Sequence, residues 1–583
     1  MFVSHSISLI ISVCLVNVIE GNVIVETKSG KIEGKEVKSI LPGEKYVSFL
    51  GIPFAEPPVG ALRFKPPIPH ASWSHVLEAK KEKKPCAQFN LPSRPVKEYG
   101  FCGDEDCLYL SIHTPKIPVD EELKLPVIVF FQNENYKMSF NGSKDYSPDF
   151  FMKENVIIVM LNHRLGAFGF LAFNDTTLPG NNGIRDVILA LKWLQDNIEY
   201  FGGDQKRVTL MGNQGGANIV DILLRSPKAK GLFNAVIMQS GTSWSPLSFG
   251  KDPQEKAISL TEQLEDKATN SRAVIERLSH VPAEKIASHE LYCLHPDESR
   301  EHQRGVLPFA PVIEPDHPDA IITMFPEENN EAINIPIMIG FNSRESIESS
   351  GRLLEKPHLL TYADKDFIFL FPTRSGYRFQ IHDKIYYDAL EEIKKKYFDE
   401  GYVKTGKPRE YLTYINDLFT FYPIDYTVRS YVNISIAPIY YYMFDFSGEL
   451  NYRKKLTLNG AVTLDGTWGA TIGDELCHLF ICNPIKKTYK KLLDDEDSEE
   501  IKVLQRMVNL YANFARSGNP TPDGDFIWKP VTKNSKDILV ISDEMRMITN
   551  LYEDKVNFWD NFIAKYKDMA VDGVVKDDVK DEL

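Results

Sequence analysis

Residues 207–225 read RVTLMGNQGGANIVDILLR, and the chemistry this chain could do turns on the middle of that stretch. A short apolar strand, Val208 to Met211, runs into Gly212-Asn213-Gln214-Gly215-Gly216, and an apolar helix-length segment carrying Ile219, Ile222, Leu223 and Leu224 follows. Glycines around one side-chain-bearing residue permit a sharp, strained turn, because their neighbours' space is not blocked by a Cβ. A serine or cysteine at the centre would be thrust out as a nucleophile for acyl transfer. The central residue is Gln214, and a carboxamide has no ionisable oxygen or sulfur that a base could activate. The frame of a nucleophile's turn is present and its reacting atom is not.

The elements around the turn read as an alternation. Apolar runs at Val127 to Phe131 and Val156 to Leu161 read as buried strands, and Ile184 to Ile198 reads as a helix. Alternating strands and helices imply a mostly parallel central sheet flanked by helices, an α/β class. Val23 to Gly34 and Val47 to Leu50 read as shorter strands, and the Tyr- and Phe-rich stretch Asp366 to Tyr431 as helices packed over the sheet. Asp494 to Glu500 is an acidic patch, read as an exposed loop or helix start.

At 583 residues, with 43% hydrophobic and 25% charged residues, the chain can bury a large core. Its formal charge of −14 opposes nucleic acid or an anionic membrane surface as a main partner. The apolar run Ile7 to Ile19 is too short to span a bilayer and sits where a secretory signal belongs, so residues 1–21 are expected to be a leader. No later segment is expected to span a membrane. The chain stops at Lys580-Asp581-Glu582-Leu583, an address read by the KDEL receptor, after a charged tail expected over 563–583. Sequons at Asn141, Asn174 and Asn433 fit the same lumen. The expected location is the lumen of the endoplasmic reticulum.

Longer motifs carry a resemblance. Phe49-Leu50-Gly51-Ile52-Pro53-Phe54-Ala55-Glu56-Pro57-Pro58 is followed by Glu105-Asp106-Cys107-Leu108-Tyr109-Leu110 and by Asn162-His163-Arg164-Leu165-Gly166. Phe201-Gly202-Gly203-Asp204, Gln239-Ser240-Gly241 and Asn513-Phe514-Ala515-Arg516-Ser517-Gly518-Asn519-Pro520 come later in the same order. Together they resemble the type-B carboxylesterases, the cholinesterase family of the α/β-hydrolase fold, over roughly residues 22–562. The resemblance implies one large domain and a Cys86–Cys107 disulfide. It also implies framework ion pairs Arg63–Glu105 and Arg164–Asp186. Cys102, Cys293, Cys477 and Cys482 stay unassigned between bridges and free thiols, and their spacing beside His478 is no metal signature.

By the same resemblance, three parts of the catalytic machinery are altered. Gln214 stands at the nucleophile. Ile472, within Gly469-Ala470-Thr471-Ile472-Gly473-Asp474-Glu475-Leu476, stands at the base, while Glu345 keeps the acid. The oxyanion loop reads Gln132-Asn133-Glu134-Asn135 in place of glycines, so Asn133, Glu134 and Asn135 are expected to crowd the oxyanion beside Gly215, with Glu134 bringing negative charge. Takeover by His478 or Ser139 would need a rebuilt site. The resulting expectation is a catalytically inactive protein that needs no cofactor or metal and binds an apolar ligand in the former acyl gorge. The alternatives are a chaperone-like or protein-interaction role, and a residual ester hydrolase.

Overall fold

Along the central strands, alternate side chains enter two different cores. Val127, Val129 and Phe131 pack on one face with Ile157, Val159 and Leu161, and Ile128 and Phe130 pack on the other with Ile158 and Met160. This two-residue period in a fully apolar run is what a sheet covered on both faces requires. The computed structural model describes residues 17–19, 22–90, 100–117, 124–140, 142–264, 266–294, 306–495 and 497–576.

The strands are β1 (Asn22–Thr27), β2 (Gly30–Lys38), β3 (Lys45–Pro53), β4 (Tyr109–Thr114), β5 (Leu125–Glu134), β6 (Met138–Ser139) and β7 (Ile157–Leu161). They continue with β8 (Gly203–Gln214), β9 (Ala235–Gln239), β10 (Ile337–Asn342), β11 (Ile439–Phe444), β12 (Asp537–Ile541) and β13 (Met545–Thr549). Among the described residues they belong to a 15-stranded sheet in which they run β1-β2-β3-β4-β7-β5-β8-β9-β10-β11-β12-β13, with β6 folded back on β5; its other members are Asn17–Ile19 beside β1 and Val76–Glu78 beside β2. From β7 through β12 every neighbouring pair is parallel, and β8 lies inside that region between β5 and β9. The flanks are antiparallel, so the sheet is mixed rather than parallel throughout. The short connections between β1 and β2 and between β2 and β3 leave no room for crossover helices, and hairpins result there.

One core holds α1 (Gly166–Phe170), α2 (Asn182–Asn197) and α3 (Gly215–Arg225), through residues such as Phe168, Ile184, Leu191 and Ile222. The other holds α4 (Glu499–Ser517), through Val503, Leu504, Met507 and Tyr511. Buried ion pairs tie the layers. Arg164 grips Asp186 through Nε–Oδ2 at 2.8 Å and Nη2–Oδ1 at 2.6 Å, and Arg63 grips Glu105 at 2.6 and 2.5 Å.

Several expectations need correction. The tail does not begin at 563. The helix α5 (Glu553–Asp568) runs past it, and Ala570–Val571 and Val574–Val575 pair as a hairpin whose second strand also pairs with Arg378–Phe379. Tyr566 and Val575 are buried, and the Tyr566 ring lies 4.8 Å from that of Phe379, which supplies the anchoring. Lys580 to Leu583, Asn141 and most of the expected leader lie outside the described residues, although Asn17–Ile19 pairs antiparallel with residues 22–24. Apart from the Arg378–Phe379 strand, the aromatic stretch from Asp366 is irregular until a helix at Lys384–Tyr397. It then includes a wide π turn at Asp417–Phe421, just before Pro423, whose missing amide cannot continue the α pattern. In the acidic patch, Ser498 caps α4, and Glu500 is buried, accepting from the Leu450 amide at 2.7 Å.

Cys86 is bridged to Cys107, and a second bridge joins Cys477 to Cys482; Cys293 keeps a buried thiol, and Cys102 belongs to neither bridge. Asn174 and Asn433 are exposed. Among the described residues no helix is long and apolar enough to cross a membrane.

Candidate functional site

β8 ends and α3 begins at Gln214, whose φ of 55° and ψ of −122° lie in a region that favours glycine. The flanking glycines are needed for close approach. A Cβ on Gly212 would overlap the Gly216 carbonyl, and one on Gly216 would stand 2.5 Å from the Phe131 oxygen. The turn therefore presses against β5, and its strained backbone is held by a residue with a side chain, Gln214. Gln214 is 9% exposed, and its buried Nε2 has no hydrogen-bond partner.

The segment beside it turns back on itself. β5 continues through Asn133 and Glu134 into a tight hairpin with β6, closed by Lys137 N–H donating to the Glu134 carbonyl at 3.0 Å. Asn135 and Tyr136 at its tip have φ of 48° and 61°, the left-handed pair of a type I′ turn. Asn133 is fully buried, and its Oδ1 occupies the space that a Cβ on Gly215 would need. That oxygen accepts from Tyr136 N–H at 2.9 Å, and Nδ2 lies 3.2 Å from His163 Nε2. Burial holds the His163 imidazole below its ordinary pKa. As a neutral ring it donates from Nδ1 to the Arg164 carbonyl at 2.9 Å and accepts at Nε2 from Asn133. Every polar end of Asn133 is thus engaged.

This geometry corrects two expectations. Glu134 does not bring unpaired charge to the site, because its carboxylate meets Arg453 Nη2 at 3.1 Å, and Arg453 reaches Glu348 at 3.3 Å. Asn135 is exposed at the hairpin tip and crowds nothing. The side chain standing against Gly215 is Asn133.

Glu345 follows β10 and is 4% exposed. Its Oε1 accepts from Ser240 Oγ at 2.7 Å and from the Asn342 amide at 2.6 Å, whereas Oε2 meets no donor. Burial, then the charge of Glu475 nearby, push the carboxyl well above the usual range. Glu475 is itself raised to about 7 by burial. It accepts from Asn213 Nδ2 at 2.8 Å and Asn342 Nδ2 at 2.6 Å. Ile472 is brought beside the acid, because Thr471 Oγ1 donates to the Glu345 carbonyl at 3.2 Å and the Arg344 amide to Ala470 at 2.8 Å. A half-buried alkyl group stands there with no proton to carry.

Neither substitute base nor substitute nucleophile converges on Gln214. His478 is buried in the other core, 3.3 Å from Glu500 and flanked by Phe444 and Phe446, inside the Cys477–Cys482 loop. Ser139 pairs with Asn133 on β6 and donates its amide to Gln88 at 2.9 Å. The polar chain Gln132–Asn213–Glu475–Asn342–Glu345–Ser240 was not anticipated. Its signal is a polar residue closing each apolar strand: Gln132, Asn213 and Asn342. The described residues include no cluster of three or more His, Cys, Asp or Glu arranged to hold a metal. A small cleft of about 10 Å³ lies between Arg63, Glu105, Arg164 and Phe168, away from Gln214.

A family model described as the carboxylesterase family matches residues 21–559. Juvenile hormone esterase of Tribolium castaneum is 30% identical over 540 residues, covering 89% of this chain and 88% of that protein. Esterase FE4 of Myzus persicae is 30% identical over 520 residues, covering 88% of each. The crystal structure of juvenile hormone esterase from Manduca sexta, with OTFP covalently attached, superposes with a TM-score of 0.74 at 26% identity. It covers 93% of this chain and 100% of that one.

Proposed function

This chain belongs to the carboxylesterase family, and we propose that it uses the family's fold to bind a small ligand rather than to hydrolyse an ester. The observation that carries the proposal is Gln214 on the strained elbow. Acyl transfer needs a nucleophile, a base and donors for the oxyanion. Here an amide stands where a hydroxyl would attack, and Ile472 stands beside Glu345 where a base would take its proton. Asn133 presses on Gly215, where the substrate oxygen would approach. Triad loss leaves about 10³–10⁴-fold catalysis from binding and the oxyanion hole. Loss of an oxyanion donor removes a further factor of about 10²–10³. The residue of activity is close to background.

The ligand we propose is largely apolar and occupies what remains of the former acyl gorge. Tyr136 narrows that space, since it is fully buried and donates to the Ser248 carbonyl at 2.9 Å. We place the protein in the lumen of the endoplasmic reticulum, on the strength of Lys580 to Leu583 and the apolar run near the start. A second reading, a protein-interaction role, draws support from Val462, Leu464 and Trp468, which are 71, 64 and 50% exposed on the loop leading to Ile472. Residual ester hydrolysis is the third, favoured by relatives named as esterases.

The test is labelling with a fluorophosphonate, which reacts with activated serines. We expect no adduct under conditions that saturate an active esterase. A stoichiometric adduct on any residue would overturn the non-hydrolytic reading.

A further inference from the structure

Arg344 carries a charge that its own fold leaves unanswered. It stands between Ser343 and Glu345 just after β10, and its amide donates to the Ala470 carbonyl at 2.8 Å. The guanidinium lies against Trp468, its carbon 3.8 Å from the ring centre. Among the described residues the guanidinium forms no hydrogen bond and no ion pair. Its Nε is sealed from solvent, whereas Nη1 and Nη2 are not. Burial lowers its pKa from the ordinary value although Tyr552, Asp417 and Asp445 favour the charge, and Arg409 opposes it. Asp417 is already committed to Lys555 at 3.0 Å. A guanidinium keeps its charge and offers five N–H donors, so leaving it unpaired in a half-buried place costs free energy.

Apolar side chains gather beside the same pair. Val462, Leu464 and Trp468 are each at least half exposed. The loop that carries them is not loose. The Val462 amide donates to the Leu354 carbonyl at 3.0 Å. The Leu464 carbonyl accepts from the Thr467 amide at 3.2 Å and from its hydroxyl at 2.8 Å, closing a turn that ends next to Trp468. Gly466 within the turn has φ of 84°, and a Cβ there would stand 2.8 Å from the Arg409 Cα. The turn is therefore pressed onto the helix Pro408–Asn416. Folding holds these apolar side chains outward, and exposed apolar patches mark surfaces that another molecule covers.

Shape and charge together select the partner. Small ligands lie in concave sites that enclose most of their surface, and side chains projecting from a turn enclose nothing. An anionic membrane is opposed by the overall charge of −14 and by Asp465, exposed on the same turn. A protein segment fits both. Tryptophan and arginine are enriched among the anchors of protein interfaces, and an arginine fork meets a carboxylate with two parallel hydrogen bonds.

We propose that Arg344 and Trp468, with Val462 and Leu464, form a docking surface for a protein segment that presents an aspartate or glutamate beside apolar side chains. The carboxylate accepts from Nη1 and Nη2 of Arg344, and the apolar side chains cover Trp468, Leu464 and Val462. This inference rests on the protein-interaction reading above and adds the place and the chemistry of the partner.

The experiment pans a random peptide library displayed on phage against the immobilised full chain, then measures synthetic versions of the selected peptides by calorimetry. Selected sequences should carry Asp or Glu next to Leu, Ile, Phe or Trp. Arg344→Gln should weaken their binding by about ten- to hundredfold, the scale of hydrogen bonds to a charged group. Replacing the peptide's carboxylate by its amide should cost the parent the same factor and Arg344→Gln little, because both changes remove one interaction. Leu464→Ser should weaken every peptide, with thermal melts confirming that both variants are folded. Peptides weakened by Leu464→Ser and untouched by Arg344→Gln would overturn the carboxylate assignment and leave the protein-interaction reading standing. Selection of no peptide sensitive to either variant would overturn both. Sedimentation with phosphatidylserine–phosphatidylcholine vesicles that Arg344→Gln abolishes would overturn the choice of a protein in favour of a membrane.

Discussion

Gln214, Asn133 and Glu345 carry the argument at the scale of single residues, and each makes a separate claim. If Gln214 and Ile472 were the sole lesions, Gln214→Ser with Ile472→His would recreate hydroxyl, imidazole and carboxylate and restore turnover. We expect that double variant to stay near background on a short-chain aryl ester, because Asn133 still stands against Gly215. Adding Asn133→Gly should raise the rate over the double variant by about 10²-fold, the scale of one oxyanion donor. Family-like turnover by the double variant would show that Asn133 is no obstacle. Glu345 makes a claim about pH. Its folded-state pKa lies well above the ordinary 4.5, so the native state holds the proton more tightly than the unfolded chain. Stability from this group is therefore complete at low pH and is lost as pH rises above the ordinary carboxylate range. Glu345→Gln keeps the acceptor that Ser240 and Asn342 use and removes the charge. Its melting temperature should match the parent's near pH 5 and exceed it near pH 8. A variant that melted lower by the same margin at both values would contradict this account.

At the scale of elements, the β8–α3 turn and the β5–β6 hairpin are two strained devices facing one another. Gln214 holds a backbone conformation that costs roughly 1–3 kcal/mol for a residue with a side chain. Gln214→Gly should relieve that strain and remove an unpaired amide, and the added chain entropy of glycine offsets only about 1 kcal/mol. We expect this variant to be at least as stable as the parent in urea titration. Gly216→Ala, two residues away, should cost more than about 2 kcal/mol, since its Cβ would meet the Phe131 carbonyl at 2.5 Å. Equal effects of the two changes would mean that the turn is not strained where its dihedrals place it.

At the scale of the whole molecule, two cores share the same strands, so neither can be lost while the other persists. Arg164, after β7, joins this sheet to α2 through Asp186 and to the Lys65 carbonyl at 2.7 Å. Arg164→Ala leaves Asp186 fully buried and uncompensated, at a cost of about 3–5 kcal/mol. Calorimetry should show one transition moved to lower temperature. Two resolved transitions would mean that the cores unfold independently.

The sequence by itself determined much of this. Apolar runs such as Val156 to Leu161 and the glycines at 212, 215 and 216 are local instructions, because strand burial and turn sterics are written in residues adjacent along the chain. That a carboxamide at Gln214 cannot attack a carbonyl and an alkyl group at Ile472 cannot carry a proton is likewise written in side-chain chemistry. Tertiary structure decided what depends on residues distant in the chain. Glu134 reads as a disruptive charge until Arg453, more than three hundred positions later, neutralises it. Residues beyond 563 read as a charged tail until Phe379 supplies a surface for Tyr566. Cys477 and Cys482 were ambiguous because bridging depends on Cβ geometry that spacing does not specify. Asn133 was one of three side chains expected to crowd the oxyanion. That it is the one to fill the space over Gly215 follows from the hairpin after β5, which exposes Asn135 and turns Glu134 towards Arg453.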